Sequence, residues 1–425
     1  LTFGDNAGVR TLPTMLLGVL LIGSANAQMV RTWTSNWDRN WSRNANWSGN
    51  NRPNTGNEIA QFGTGGQLDP ELNSDSYTVR GLRFSATAAG YGVHDDNGAR
   101  TLRIGNGSSG FIENLSGSDQ VISIATLQFQ AGATIRTTGS GGLAVASDLT
   151  GLNRDLTISA VGDIALSGRI DTGSGQLTKQ GAGNLVLGGA NTYTGTTSID
   201  AGAIVLAASN VFNDAGRINV AAGGSLRLND QADAIGGLDG TGIVDFGATG
   251  TGRLVLTQGI STFAGAFAGR GEVVVGAGAT LRLAADFSNT GLNIRLDGGT
   301  LELAGHALTI GSFDVSASST VDFDASTDSV LDANAVAVDA AGITLTVQNW
   351  TDAADYFYSH TAYAPQTPPL SQVGFAGWTT ADTKWQAYDS QITPVPEPAS
   401  YGALLLAGTI AAACWRRRDR GRAVI

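Results

Sequence analysis

One short phrase recurs through the middle of this chain: a glycine-containing corner followed by an aliphatic–x–aliphatic alternation. It reads Ala201-Gly202-Ala203-Ile204-Val205-Leu206, Ala222-Gly223-Gly224-Ser225-Leu226-Arg227-Leu228, Ala277-Gly278-Ala279-Thr280-Leu281-Arg282-Leu283 and Gly298-Gly299-Thr300-Leu301-Glu302-Leu303, with a fainter copy at Ala131-Gly132-Ala133-Thr134-Ile135. Ile204 and Leu226 are 22 residues apart, Leu281 and Leu301 are 20 apart, and the 55 residues between Leu226 and Leu281 leave room for two or three more units. A period near twenty residues marks a solenoid.

Side-chain direction supplies the physical reading. In Leu-Arg-Leu the two leucines point one way and the charge the other, as a strand buried on one face requires. Gly, Asn and Asp at the corners tolerate the positive φ that a sharp turn between strands needs. If each unit makes one coil, stacking pairs every strand with its equivalents at about 4.8 Å. The expectation is an all-β, right-handed, single-stranded parallel β-helix (solenoid) whose narrow interior suits small aliphatic side chains. In it Leu226, Leu281 and Leu301 lie one above another. Long helices are not expected before Tyr401, and the Ala-rich stretch 333–341 reads equally well as strand because of Val336 and Val338.

Composition agrees. The 425 residues include 59 Gly but only 9 Pro and 2 Met, with 14% charged, which is repeat rather than ordinary globular usage. The net charge is −11, and Arg416, Arg417, Arg418, Arg420 and Arg422 all sit at the C-terminal end, so the chain ahead of them is more acidic still. Such a body lacks the basic face that phosphate neutralisation needs, and no nucleic-acid partner is expected. Cys414 is the sole cysteine, which leaves the body without disulfides or cysteine metal sites.

Both ends carry targeting signals. Met15 to Gly23 is a nine-residue apolar run, too short to span a membrane, followed by Ser24-Ala25-Asn26-Ala27. The small residues Ala25 and Ala27 fit signal peptidase, with the mature chain beginning at Gln28. The chain opens on Leu1, so an alternative start is open. At the other end Val395-Pro396-Glu397-Pro398 precedes a fifteen-residue apolar run, Tyr401 to Trp415, and then Arg416, Arg417 and Arg418. A helix over that run spans roughly 22 Å against a ~30 Å hydrocarbon core, a marginal anchor. The arginines hold its C-terminus in the cytoplasm.

This order closely resembles the PEP-CTERM sorting signal of Gram-negative bacteria, over Pro394 to Arg418. The resemblance implies processing by an exosortase, a membrane-embedded cysteine peptidase, with Val395, Pro396, Glu397, Pro398 and the three arginines as recognition rather than catalytic residues. An ordinary tail anchor is the alternative. A second stretch, Gln176 to Leu206, with Gly181-Ala182-Gly183-Asn184-Leu185-Val186-Leu187 and Asn191-Thr192-Tyr193-Thr194-Gly195, is similar to the autotransporter-associated β-strand repeat, which implies a β-helical passenger stalk. Autotransporters end in a membrane β-barrel, whereas this chain ends in a single apolar segment.

The flanks read as caps. Trp33, Trp37, Trp41 and Trp47 crowd one end, and Trp350, Trp378, Trp385 and the proline-rich 365–369 the other. The organisation is a signal peptide (1–27), a Trp-rich cap with the first coils (28–100), the β-helix (101–345), a C-terminal cap and spacer (346–393), the sorting signal (394–418) with its transmembrane helix (401–415), and a cytoplasmic tail (419–425).

Chemistry is sparse. Asp314, Asp322, Asp324, Asp328 and Asp332 form the densest acidic group, with Asp322 and Asp324 outward on one strand; a solvated face is weighed against a calcium or acid–base site. His94, His306 and His360 lack metal-ligand spacing. Gly105-Asn106-Gly107-Ser108-Ser109-Gly110 mimics a dinucleotide fingerprint but reads as a corner. The N-terminal Trp set could stack on sugars, though capping is the simpler use. No catalytic, cofactor or metal residue is expected. The reading is an exported surface or extracellular-matrix protein, a structural or adhesive rod whose partners are signal peptidase, exosortase and extracellular polysaccharide; the alternatives are a β-helical polysaccharide-degrading enzyme or a carbohydrate-binding surface protein.

Overall fold

The computed structural model describes residues 28–35, 37–75, 77–325 and 328–395. The chain winds into a parallel β-solenoid of about fourteen turns with almost no helix. Among the described residues the helical pieces are three-residue 3-10 turns such as Asn44–Asn46 and Leu370–Gln372, and the Ala-rich stretch lies in the strand Val330–Val338.

Each coil visits three faces. The first face is an unbroken parallel ladder from Met29–Thr32 to Val373–Phe375. Its inward positions Ala60, Leu82, Ile112, Ile135, Ile158, Lys179, Ile199 and Val220 are paired in register, one per coil. On the second face Val93, Ile122, Val145, Leu166, Leu187 and Leu206 stack likewise. The third face is split into a five-stranded sheet ending at Ile170–Asp171 and a nine-stranded sheet beginning at Ala232–Ile235, whose long strands Phe287–Asp297, Ala307–Ala317 and Val330–Val338 carry the second face in their first halves and the third in their second. Between them, residues 188–196 and 207–216 run without strand, tied to their neighbours by the Thr192 N–H on Ile170 O and the Asn210 N–H on Ala232 O.

The recurring phrase proves to mark two different corners. Leu226 stacks between Ile204 and Val244 on the second face, whereas Leu281 stacks between Ser261 and Leu301 on the first. The three leucines share one dry interior but not one column. The reason is that a glycine bend precedes both the first-face and the second-face strand, so the phrase alone does not say which. The interior also takes more aromatic bulk than small aliphatics alone: Phe263, Phe267 and Phe287 pack with ring centroids 4.9 to 6.1 Å apart.

Tight corners depend on missing side chains. Gly202 has φ +69°, and a Cβ there would sit 2.5 Å from the carbonyl oxygen of Gly181 one coil earlier. Corner aspartates do something else. Asp119, Asp148, Asp155 and Asp163 each accept, through Oδ1, the backbone N–H of Gly142, Arg169, Gln176 and Asn184 at 2.7–2.9 Å. Each carboxylate thus satisfies a donor at the corner of the following coil, where the strand ladder has run out.

The two ends are closed differently. At the N-terminal end Trp33, Trp41 and Trp47 are buried, Trp47 lying edge-on to Trp33 at 5.0 Å and to Trp41 at 4.7 Å. Their indole N–H groups donate to the backbone oxygens of Gln67, Pro53 and Trp41. Trp37 departs from the expected set, being 87% exposed. At the C-terminal end the parallel stack meets an antiparallel hairpin, Thr383–Gln386 with Gln391–Pro394. Trp350 packs edge-on between Phe323 and Phe375, Trp385 donates to Ser359 O, and Trp378 stays 43% exposed.

Candidate functional surfaces

Parallel register sets outward residues of successive coils side by side, so charges of opposite sign can form ladders. Arg83, Glu113 and Arg136 are such a set: Glu113 is almost wholly buried and takes the Arg83 guanidinium on one oxygen and that of Arg136 on the other. On the third face Glu272 holds both Arg253 and Arg295, and Arg295 reaches Asp339 at 3.1 Å. Burial raises the carboxyl of Asp314 beside them, although Ser312 donates to it at 2.8 Å.

The five-aspartate group separates in space. Asp314 lies on the third face, Asp322 and Asp324 belong to the first, and Asp332 is on the second, where it meets His360 Nε2 at 2.8 Å. Asp322 and Asp324 nevertheless join Arg282, Glu302, Ala304 and Asn349 around an open depression of about 290 Å³. There Arg282 bonds Glu302 at 2.5 Å, and Asp322 Oδ1 accepts from Asn349 Nδ2 and from the Asp324 backbone. The carboxyl pushed up by burial, Asp314, is on another face. Three carboxylates and a guanidinium therefore do converge, but Glu302 and Asp322 already serve the coil.

The histidines stand apart, His94 near Glu71, His306 on Asp286 and His360 on Asp332. Among the described residues no group of three or more His, Cys, Asp or Glu side chains is placed to hold a metal ion. The Gly105–Gly110 stretch is a corner, with Gly105 and Gly107 both near φ +88°. Trp33, Trp41 and Trp47 have no face open to a sugar.

Among the buried ionisable groups that were not anticipated, two stand out. Lys179 is fully buried in the first-face column and donates from Nζ to the carbonyl oxygens of Gln180, Gly181 and Ala201 at 2.8–3.0 Å. Burial lowers its pKa to about 8. The signal was present, since in Leu177-Thr178-Lys179 the alternation sets Lys179 on the side of Leu177. Asp233, beside the break in the third face, accepts the N–H groups of Val211, Phe212 and Ala234, and burial pushes it up to about 6.

Of the sorting residues, Val395 is half-buried and its N–H donates to Asp382 O at 2.9 Å. Pro396, Glu397, Pro398, Arg416, Arg417, Arg418, the segment 401–415, and Ala25 and Ala27 lie outside the described residues. No helix among the described residues is long and apolar enough to cross a membrane.

Comparison with known proteins bears on both the coil and the tail. Residues 177–206 and 248–268 match the passenger-associated-transport-repeat, and residues 394–418 match the PEP-CTERM protein-sorting motif. The second repeat match is one complete coil, Gly252–Leu256, Gly259–Phe263 and Ala266–Ala268, which the sequence pattern alone did not single out. The chain is also similar to the adhesin BmaC autotransporter of Brucella suis biovar 1 (strain 1330), 33% identical in an alignment 153 residues long that covers 33% of this chain and 4% of the adhesin. It thus covers a small fraction of that relative's length. No solved structure matches. The sorting motif implies processing by an exosortase and an exported protein that ends at the cell surface or outside it.

Proposed function

We propose that this protein is a structural or adhesive rod of the bacterial surface or extracellular matrix, exported, held at the membrane by its tail and released or transferred by an exosortase. One observation carries the reading: the closing hairpin strand Gln391–Pro394 ends on the first residue of the matched sorting motif, so the signal begins where the stacked body stops. In this reading signal peptidase removes residues 1–27 after Ala27, the Pro396-Glu397-Pro398 motif is recognised by the exosortase, and Tyr401 to Trp415 anchors the chain with Arg416, Arg417 and Arg418 on the cytoplasmic side. The relative is named as an adhesin, and extracellular polysaccharide is the partner such a rod would meet.

Replacing Pro396, Glu397 and Pro398 by alanine should leave full-length protein in the inner membrane, while the wild type yields a shortened species whose mass fixes both cleavage points. Unchanged release by the variant counts against the recognition role.

A second reading, an enzyme acting on polysaccharide, has the Arg282, Glu302, Asp322 and Asp324 depression in its favour. Paired carboxylates beside a cation are the equipment of glycosidic cleavage. If it holds, Glu302→Gln or Asp322→Asn abolishes depolymerisation of a neutral or acidic polysaccharide by purified protein. Absence of any depolymerisation by the wild type removes it.

A further inference from the structure

At the C-terminal end, unlike the buried Trp33, Trp41 and Trp47 of the other end, several aromatic side chains stay open to solvent on one outer face. Two antiparallel pairings arrange them. Tyr358 lies opposite Gln391, and Gln391 lies opposite Gln386, so three neighbouring strands set these side chains in one row on the outer face. Tyr356, two residues before Tyr358, shares that face, and the two phenol rings are nearly parallel, 7° apart with centroids 5.6 Å apart. Tyr388, in the turn between the hairpin strands, is 82% exposed. Asp352, Tyr356, Gln386, Tyr388 and Gln391 line an open depression of about 390 Å³.

The lining has a definite chemical character. An aromatic face gives an apolar plane with a polar edge, which matches the C–H face of a pyranose ring and its equatorial hydroxyls. The side-chain amides of Gln386 and Gln391 make no hydrogen bond to other described residues, and each offers two donors and an acceptor. Asp352 adds a further acceptor at the rim. Among the described residues no cation lines the depression itself; Lys384 sits opposite Thr393 at its edge, but Asp352 at the rim and Asp389 beside Tyr388 outnumber it, which disfavours a uronate or sulfated chain. The volume falls in the ~300–1,000 Å³ range of small-ligand sites.

We propose that this face is a binding site for a neutral hexopyranose chain, with Tyr388 and Tyr356 as stacking platforms and Gln386 and Gln391 as hydroxyl readers; it rests on the reading that the rod stands in an extracellular polysaccharide layer. The site sits beside Pro394 and Val395, at the end where the sorting motif begins. Polysaccharide gripped there lies next to the point of processing.

The test is affinity electrophoresis of the full chain in mild detergent through gels containing dextran, a soluble β-glucan or a mannan, with alginate as the acidic control. Retardation by at least one neutral polymer and none by alginate is expected. Tyr388→Ala and Gln391→Ala should each weaken it about tenfold at unchanged Tm, while Trp37→Ala, an exposed aromatic at the other end, leaves it intact. Lack of retardation by all three neutral polymers, retention by alginate instead, or wild-type retention in Tyr388→Ala overturns the site. Surface exposure, measured separately by protease accessibility on intact cells, tests the rod reading independently and can stand while this fails.

Discussion

Lys179 shows how far a single position can depart from its column. Its neighbours above and below are Ile158 and Ile199, yet the ammonium is accommodated because three carbonyl oxygens from two coils turn toward it. Full burial without a paired carboxylate favours the neutral form, which is why its pKa falls to about 8 from 10.5. The unfolded chain therefore binds more protons than the folded one between those two values, and this group makes stability rise with pH across that window. Urea unfolding should show the wild type gaining on Lys179→Met between pH 8 and 10.5, by up to about 3 kcal/mol. Parallel pH profiles for the two proteins would sink the assignment. Tyrosines and the other titrating groups are common to both chains and cancel in the difference.

At the scale of one coil, much of the acidity finds a structural explanation. Asp119, Asp148, Asp155 and Asp163 bind the backbone of the following turn, and Glu113, Glu272 and Glu302 hold arginines across the ladder. A corner hydrogen bond of this kind contributes about 1 kcal/mol, more when a charged acceptor is involved. Asp155→Ala should speed hydrogen exchange at the Gln176 amide roughly fivefold, an effect confined to that corner. Unchanged exchange there would show the bond to be idle. The sequence carried this device in plain view, because three of the four staples directly precede an aliphatic alternation, Asp148-Leu149, Asp155-Leu156 and Asp163-Ile164. It was unreadable without the register, since the accepted N–H lies 21 to 23 residues away.

For the molecule as a whole, the coil period, the dry interior and the aromatic closure at the N-terminal end were legible, because side-chain alternation and bend residues are local properties. The pairing of faces was not. Leu226 and Leu281 carry the same phrase and sit on different faces, and the third face lapses between Asp171 and Ala232 without any loss of glycine or aliphatic residues in the sequence there. The C-terminal aromatic face was hidden for the same reason: Tyr358, Gln391 and Gln386 are brought together by an antiparallel return that no periodicity announces. The corner aspartates carry a last consequence. Since each fastens only the adjacent winding, a winding could be gained or lost in the middle without disturbing either terminus, and the gap between the tryptophan end and the sugar-facing end would change in increments of about 4.8 Å. Such a protein is a ruler whose length can be reset while its fittings stay the same.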